Sequence, residues 1–555
     1  MTGLGTAVSP KSSSGTGRRG ALLLWVVIGA VISGATVFAF GPAVGGEFLS
    51  WDDGRLVAEN PLIRSFGADN LARIFGTIQH EAYQPVHLLS YMLDHALFGL
   101  WPTGFHAMNL ALWALSLSCL FALLRALGVG WVAALAGALV VGVHPLQAEA
   151  VAWISSRKDV LALGLFCSSA FFALGSDRMR SSRFAVALGL HALALLSKTS
   201  TVVLPLFLLL CDWLVRGRTL RQAALRAAPF ALLSAAAGGL VLALWSGAEL
   251  IRPEPRAGVG GRLALVGHTY LHYFGKIVWP SRLSALYPID RAAGVDGRAL
   301  AGLGILAAGI GSLAMRKLGR ARLGTSWLVL SLLPVSNVVP VYYWVADRYA
   351  SLSLMGLGWL VAMAVDLPPR AATSRAWARA VPVAIAVLVL GLVARAHAAE
   401  FTSDVRLFRA AVRAQPDAYF ARLKLGEVLR EAGDLPGALR SYRVAIDMQP
   451  DRPLAHGGLF LAVARDEARR TLVSREVADR ATQAYLAGLE DPRALSILAA
   501  RLRRVRMEDT SVVALDRALT IAPPSDAVLE DQARQAESDG FGKTAALLRA
   551  HARHQ

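Results

Sequence analysis

The first 398 residues alternate between long apolar runs and short polar connections. A helix needs roughly 20 apolar residues to cross a bilayer, and most of these runs approach or reach that length. The pattern therefore predicts an all-α, polytopic membrane protein with about eleven spans. The predicted spans lie at 21–41, 105–125, 131–147, 159–175, 183–197, 200–215, 228–246, 299–315, 323–340, 350–366 and 380–397.

One further apolar stretch, 262–290, does not fit this series. If it crossed the membrane, it would move the basic residues of 316–322 to the opposite side. Its aromatic residues Tyr270, Tyr273 and Trp279 are typical of a membrane interface. We expect an amphipathic or re-entrant helix at the outer surface, and the sequence leaves open whether 262–280 spans.

The pattern changes after residue 398, where apolar positions recur with a helical period in a polar, Ala- and Arg-rich background. Counted from Tyr419, several residues match the 34-residue tetratricopeptide repeat. These are Leu425, Gly426, Ala438, Tyr442, Ala445 and Pro450. We predict a TPR-like α-solenoid over 399–555, with degenerate repeats at 400–416 and 453–550. The alternative is an unrelated helical hairpin.

Composition and charge support this division. Hydrophobic residues make up 55% of the 555 residues and charged residues 17%, and the mean hydropathy is +0.47. The net charge of +18 comes from Arg and Lys clusters between apolar runs, where the positive-inside rule places them. We expect a cytoplasmic tail at 1–20, a retained signal anchor in preference to a cleaved signal, an extracytoplasmic repeat region and no nucleic-acid partner.

The Cys residues and the pair His268 and His272 do not predict a metal site. Cys119, Cys167 and Cys211 lie in apolar runs and read as small buried side chains. His268 and His272 share a helical face, but no Glu follows His268 as a metalloprotease motif requires.

Polar residues that a bilayer does not explain gather at the predicted outer ends of the spans. Ionisable groups there are costly and usually have a partner or a function. The candidates are Asp52, Asp53, His106, His144, Glu149, Arg157, Lys198 and Arg348.

This set predicts a pocket that handles a lipid-linked phosphate. Cations, and Arg in particular, match phosphate oxygens. A neighbouring carboxylate suits removal of a proton from an acceptor hydroxyl. Arg157 and Lys198 could instead be interfacial anchors, and His106 and His144 could be buried residues bonded to helix carbonyls.

The ordered motifs "FLSWDDGRLVAENPLI", "YQPVHLLSYMLDHALFGLWPTGFHAMNLALW", "HPLQAEAVAWISSRKDVLALGLF", "LLSKTSTVVLPLFLLLCDWL", "YFGKIVWPSRLSALYP" and "LPVSNVVPVYYWVADRY" resemble the transmembrane and tetratricopeptide-repeat-containing protein O-mannosyltransferases. The match runs from about Phe48 to Pro450. The resemblance implies a GT-C glycosyltransferase domain over 21–398, with an active site on the extracytoplasmic face.

The resemblance also implies roles for individual residues. Asp52 and Asp53 would hold the catalytic base, and Arg348 would face the donor phosphate. Lys198, Arg157, His144, Glu149 and His106 are candidates for the surrounding donor or substrate site. The expected reaction is inverting transfer of a sugar, with mannose favoured, from a polyprenyl phosphate to Ser or Thr of secreted or membrane proteins.

The resemblance implies no resident cofactor, with a divalent cation left open, and a protein partner on the repeats. The composition and compact loops favour a bacterial inner membrane. Two alternatives remain: transfer of the sugar to a lipid or glycan, and a non-catalytic membrane anchor that displays a repeat scaffold.

Overall fold

A computed structural model describes most of the chain. The described residues are 14–78, 83–247, 258–288, 294–338, 344–366, 374–450, 452–464 and 526–552, with 515, 516 and 519. Within these ranges every regular element is a helix, which confirms the all-α prediction. The chain divides into two compact units after Leu407. The predicted domain boundary at 399 stays a prediction, and most of the predicted tail, 1–13, lies outside the described residues.

The first unit contains fifteen described helices. They are α1 Ser14–Phe40, α2 Ala68–Gly76, α3 Pro85–Phe98, α4 Pro102–Ala126, α5 Trp131–Gly142, α6 Ala148–Ala152, α7 Arg157–Leu174, α8 Ser182–Ser197, α9 Leu204–Leu210, α10 Leu220–Gly247, α11 Val259–Val278, α12 Gly297–Gly311, α13 Ala321–Leu330, α14 Ser351–Val365 and α15 Ser374–Ala398.

Each predicted span corresponds to a helical segment, but fewer than eleven are long and apolar enough to cross a membrane by themselves. Among the described residues six qualify, or seven if one bent pair counts as a single span. The six are Leu22–Gly45, Pro102–Ala126, Leu220–Leu244, Gly297–Ala314, Asp347–Val365 and Val381–Thr402. Ser182–Ser197, Thr199–Val215 and Ala321–Val335 are apolar but shorter. The protein is a multi-pass membrane protein whose spans are more broken than the sequence pattern predicts.

The bent pair shows why the spans break. Trp131–Gly142 and Pro145–Ala152 meet at 57°. Pro145 cannot donate the backbone hydrogen bond that would continue α5. His144 caps the next turn instead, because its Nδ1 accepts the Leu146 N–H at 3.3 Å.

The loops that hold the predicted clusters of Arg and Lys make specific hydrogen bonds and ion pairs. The Asp366 carboxylate, after α14, accepts the Gly130 N–H at 3.0 Å. Trp359 donates to the Arg320 carbonyl at 2.9 Å, and the buried Arg226 Nε lies 2.9 Å from Asp212. These contacts fix the loops, so their charged residues also contribute to packing.

Helix α11 differs from the predicted interfacial helix in part. Trp279, just beyond its end, is 76% exposed, as an interface residue would be. Tyr270 and Tyr273 are buried and donate to the carbonyls of Val329 and Ala346, each at 3.1 Å. The two tyrosines are therefore packing residues of the helical unit, and assigning them to the membrane surface was wrong.

The second unit contains the predicted repeat. Its described helices are the end of α16 Asp404–Ala414, then α17 Tyr419–Glu431, α18 Leu435–Met448, α19 Pro453–Ala464, α20 Asp526–Ser538 and α21 Gly542–Ala552. Tyr442 on α18 is fully buried, and a Cβ on Gly426 or Gly458 would stand 2.6 or 2.3 Å from its ring. Small residues thus let three helices close around one aromatic ring. A solenoid over 399–555 stays a prediction, since 465–514 lie outside the described residues.

Candidate functional site

Asp52 and Asp53 lie in a folded loop, residues 46–66, which has its own core and which we call the acid loop. After α1 the chain forms short helical turns at Gly41–Gly45, Gly54–Ala58 and Pro61–Arg64. Asn60 caps the last of these by accepting the Leu62 N–H at 3.0 Å. Apolar side chains of the last two turns pack with α2, α3 and α4 in one cluster, which includes Leu56, Val57, Leu62, Ile63, Ile74, Leu88, Tyr91, Met92 and Phe105. Packing therefore fixes the backbone that carries the two carboxylates.

Asp53 is fully buried and accepts several hydrogen bonds. Its Oδ2 accepts the Leu49 N–H at 2.9 Å. Its Oδ1 accepts the Ser155 N–H at 3.0 Å and also the Ser155 hydroxyl. Burial raises the pKa of Asp53 from 3.8 to about 7, although these hydrogen bonds act in the opposite direction.

Asp52 occupies a different environment from its neighbour. It is half-buried, and it lies close enough to Lys158 for the two charges to interact. Beside it, the ring of Trp51 stacks on Trp153 with centroids 4.7 Å apart. The environments of the two acids thus differ: Asp53 is buried and hydrogen-bonded, while Asp52 is partly exposed.

The segment Trp153–Asp159, which we call the bridging segment, connects the parts of the site. Ser155 binds Asp53, and Trp153 stacks on Trp51. Asp159 pairs with Lys198. Seven consecutive residues therefore bring the acid loop and the cationic residues together.

Arg348 lies at the start of the turn that leads into α14. Its guanidinium pairs with Glu149, and its backbone N–H donates to the second Glu149 oxygen at 3.0 Å. The guanidinium carbon stands 5.3 Å from the Trp153 ring and 5.2 Å from the Tyr349 ring. Glu149 therefore orients Arg348.

Lys198 approaches the same aromatic ring from another element. It follows α8 directly, pairs with Asp159, and places its Nζ 5.1 Å from the centre of the Tyr349 ring. Its side chain is 12% exposed, so it is sheltered from bulk water without being sealed off. Lys198 and Arg348 thus flank the half-buried Tyr349, which brings together two cations predicted to bind the donor.

Arg157 lies in a closed network away from these two cations. It is fully buried and pairs with Asp94. Its Nε donates to Asn109 Oδ1 at 2.5 Å, and its Nη atoms donate to the carbonyls of Ser90 and Phe105 at 3.3 and 2.9 Å. This buried network joins α3, α4 and the bridging segment, and we leave Arg157 out of the donor site proposed below.

The two histidines also contact the backbone. His144 Nε2 lies 3.1 Å from the Ile277 carbonyl, while Nδ1 caps the turn at Leu146. His106 is buried against the acid loop, because its Nε2 would stand 3.0 Å from a Cβ on Gly46. Both positions match the alternative of buried helix-packing histidines.

Several residues of the site were not selected from the sequence. They are Ser155, Trp153, Asp159, Tyr349 and Asp94. The signal for the first three was present in "AWISSRKD", a polar run at the start of an apolar helix, but pairing across the fold is invisible in one sequence. Among the described residues no three His, Cys, Asp or Glu side chains are grouped as a metal site would need.

Several known proteins are similar to this chain. No family model matches the chain. Protein O-mannosyl-transferase TMTC1 of Homo sapiens is 33% identical over 164 residues, 27% of this chain and 18% of that protein. TMTC1 of Mus musculus is 33% identical over 25% of this chain and 16% of that protein. The aligned chain thus spans less than a fifth of the length of these relatives.

A longer alignment joins protein O-mannosyl-transferase F38B6.6 of Caenorhabditis elegans, which is 22% identical over 446 residues, 76% of this chain and 62% of that protein. Two crystal structures of ArnT from Cupriavidus metallidurans, each 16% identical, also match. The undecaprenyl phosphate complex covers 97% of this chain and 88% of that one, with a TM-score of 0.35. The apo state covers 88% and 81%, with a TM-score of 0.38. The curated relatives confirm the resemblance of this chain to the transmembrane and tetratricopeptide-repeat-containing protein O-mannosyltransferases.

Proposed function

We propose that the protein is a membrane glycosyltransferase that moves a sugar, with mannose the first to test, from a polyprenyl phosphate to Ser or Thr hydroxyls of extracytoplasmic proteins. The proposal rests chiefly on one observation. The loop that carries Asp52 and the buried Asp53 is joined to two cations, Lys198 and Arg348, through the bridging segment. The names of the curated relatives support the choice of sugar and acceptor.

In this proposal Asp52 is the general base. Its carboxylate takes the proton of the acceptor hydroxyl as the hydroxyl oxygen attacks the anomeric carbon of the sugar. The bond from that carbon to the phosphate oxygen breaks, and the polyprenyl phosphate leaves with the electron pair. Attack opposite the leaving group inverts the anomeric centre.

Asp53 is a positioning residue in the same scheme, since its oxygens are bound to Leu49 and Ser155. Arg348 and Lys198 stabilise the charge that grows on the departing phosphate. Fixed charges sheltered from water stabilise such a transition state strongly. No metal ion takes part in the proposed scheme.

The test is transfer by the purified full-length protein in proteoliposomes, with labelled polyprenyl-phosphate mannose and secreted protein acceptors. Loss of a general base lowers the rate by about 10²- to 10⁴-fold, so Asp52→Asn should abolish detectable transfer. Asp53→Asn should lower the rate less. The exposed Asp417→Asn removes the same charge elsewhere and should leave the rate unchanged.

Each other outcome has a distinct meaning. Label on lipid or glycan alone would replace the protein acceptor by one of those. Full activity in the Asp52→Asn, Asp53→Asn and double variants would contradict the assignment of the acids. Absence of transfer with every sugar donor supplied would favour the non-catalytic scaffold.

A second experiment tests the cationic side. Arg348→Lys keeps a positive charge but loses the planar fork that pairs with Glu149. We expect the KM for the donor to rise and kcat to fall. Unchanged kinetics in both Arg348→Lys and Lys198→Met would remove these cations from the donor site.

A further inference from the structure

The segment His397–Asp404, which we call the connector, follows the long apolar part of the last span. It contacts the acid loop at two points. The Glu47 N–H donates to the Thr402 carbonyl at 3.1 Å. The Ser50 N–H lies 3.0 Å from both carboxylate oxygens of Asp404. Asp404 is therefore bonded to the backbone two residues before Asp52.

The connector also fits closely against the start of the acid loop. A Cβ on Gly46 would stand 3.2 Å from the Thr402 Cα and 2.9 Å from the Ala43 carbonyl oxygen. Gly45, one residue earlier, has open space around the same position. The loop and the connector thus approach at a point where the chain has a glycine and a side chain would force a shift.

At its other end the connector contacts the cationic side. The buried His397 places Nδ1 2.7 Å from Glu400 Oε2 and Nε2 3.7 Å from Asp347 Oδ2. The other oxygen of Asp347 accepts the Tyr287 hydroxyl at 2.7 Å. Asp347 directly precedes Arg348, so this contact fixes the backbone that carries the proposed phosphate ligand.

We infer that the connector positions the acid loop and the Arg348 turn relative to each other, with Asp404 and His397 as positioning residues for the transfer proposed above. Neither residue needs to touch the substrates. The connector contacts the acid loop at one end and the Arg348 turn at the other, so it sets the distance between the proposed base and the phosphate-binding cation. The bridging segment joins the same two parts through separate contacts.

This inference predicts a selective loss of turnover. Small misplacements of reacting groups cost up to about 100-fold in rate. We therefore expect Asp404→Ala to lower kcat by about ten- to 100-fold and to leave the KM for the donor within about twofold. Asp404→Asn should recover part of the loss, because its amide oxygen still accepts one N–H. Asp417→Ala is the matched control on an exposed aspartate and should change neither constant.

A readout independent of turnover separates this inference from the proposed function. In the intact protein, Asp404→Ala and Gly46→Ala should speed amide hydrogen exchange in the segment 47–58, whereas Asp417→Ala and Gly45→Ala should not. Gly46→Ala keeps every polar group and serves as the second route if Asp404→Ala folds poorly. Exchange and kcat equal to wild type in both test variants would overturn the inference.

If the wild-type protein transfers no sugar, the proposed function fails, and exchange alone decides on the connector. Faster exchange in both test variants would then support its contact with the acid loop, and unchanged exchange would overturn it.

Discussion

At the scale of single residues, Asp53 shows how burial sets the chemistry of a carboxyl group. Its folded pKa of about 7 lies above the ordinary 3.8. The folded state therefore binds a proton more tightly than the unfolded chain between about pH 4 and 7. The contribution of Asp53 to stability should therefore fall as the pH rises through this window and should stay level above it.

We predict that Asp53→Asn removes this dependence, which amounts to at most about 4 kcal/mol over the whole window. The measurement is the midpoint of thermal unfolding in detergent micelles at pH 5 and pH 8. Wild type should lose more of its midpoint between the two than the variant does. Equal losses would show that Asp53 titrates at its ordinary value, and Asp417→Asn should behave as wild type.

Arg157 gives a second prediction, because removing one partner of a buried ion pair leaves the other charge uncompensated. Such losses cost about 3–5 kcal/mol. Arg157→Met should sharply reduce the yield of monodisperse protein on size exclusion, and Arg157→Met with Asp94→Leu should restore much of it. Arg183→Met, on an exposed helix face, should be neutral. Equal yields of single and double variants would contradict the pairing.

Residue types selected candidate residues for the site, but they did not identify the partners of those residues. Asp52, Lys198 and Arg348 stand out because ionisable groups are costly near a bilayer. Nothing in one sequence distinguishes Arg157, which is bound in a buried network, from Arg348, which stands by two aromatic rings. The distinction depends on Asp94 and Glu149, which come from other helices.

At the scale of elements, α11 and α12 pack closely at a point where each helix has a glycine, Gly267 and Gly302. A Cβ on Gly302 would stand 1.8 Å from the Gly267 carbonyl oxygen, whereas Gly304 has open space. Small residues at such crossings allow backbones to approach closely within membranes. We predict that Gly302→Ala lowers the thermal midpoint in micelles and Gly304→Ala does not. A Gly302→Ala midpoint as high as that of Gly304→Ala would exclude close packing of this pair.

Hydrophobic patterning located the helical segments but not the breaks between them. A run of apolar residues indicates how much apolar surface a helix can bury. It does not indicate whether the helix is continuous. Pro145 and the His144 cap divide one predicted span into two helices at 57°. Such breaks supply the polar turns that carry Glu149 and the bridging segment, so the feature missed by periodicity is the one on which the site depends.

At the scale of the whole molecule, the distribution of basic clusters gives a testable orientation. We predict that a membrane-impermeant maleimide labels Phe420→Cys from outside the cell and labels Met179→Cys only after the membrane is opened. Both native side chains are exposed. The background replaces Cys119, Cys167 and Cys211. Labelling of Met179→Cys in intact cells would reverse the proposed orientation.

The class of the molecule followed from its sequence because composition and periodicity act over hundreds of residues. The eleven-span count did not translate into eleven long helices, because helix continuity depends on individual caps and prolines. The close packing of α17 and α18 could be predicted from Gly426, Ala438 and Tyr442, because their sizes together match a repeat pattern, while the repeat itself stays a prediction. Long-range pairs such as Ser50 with Asp404 have no local signature at all.

The bridging segment has a consequence for the order in which the protein is made. Asp53, Asp94 and Asn109, which contact the bridging segment, are synthesised before the segment itself ends at residue 159. The cations Lys198 and Arg348 come later, and Asp404 comes last. Chains that enter the membrane from the N-terminus acquire their contacts in that sequence. A nascent chain therefore carries the acids long before it carries their counterparts, and the candidate site is complete only when synthesis of the membrane unit is nearly finished.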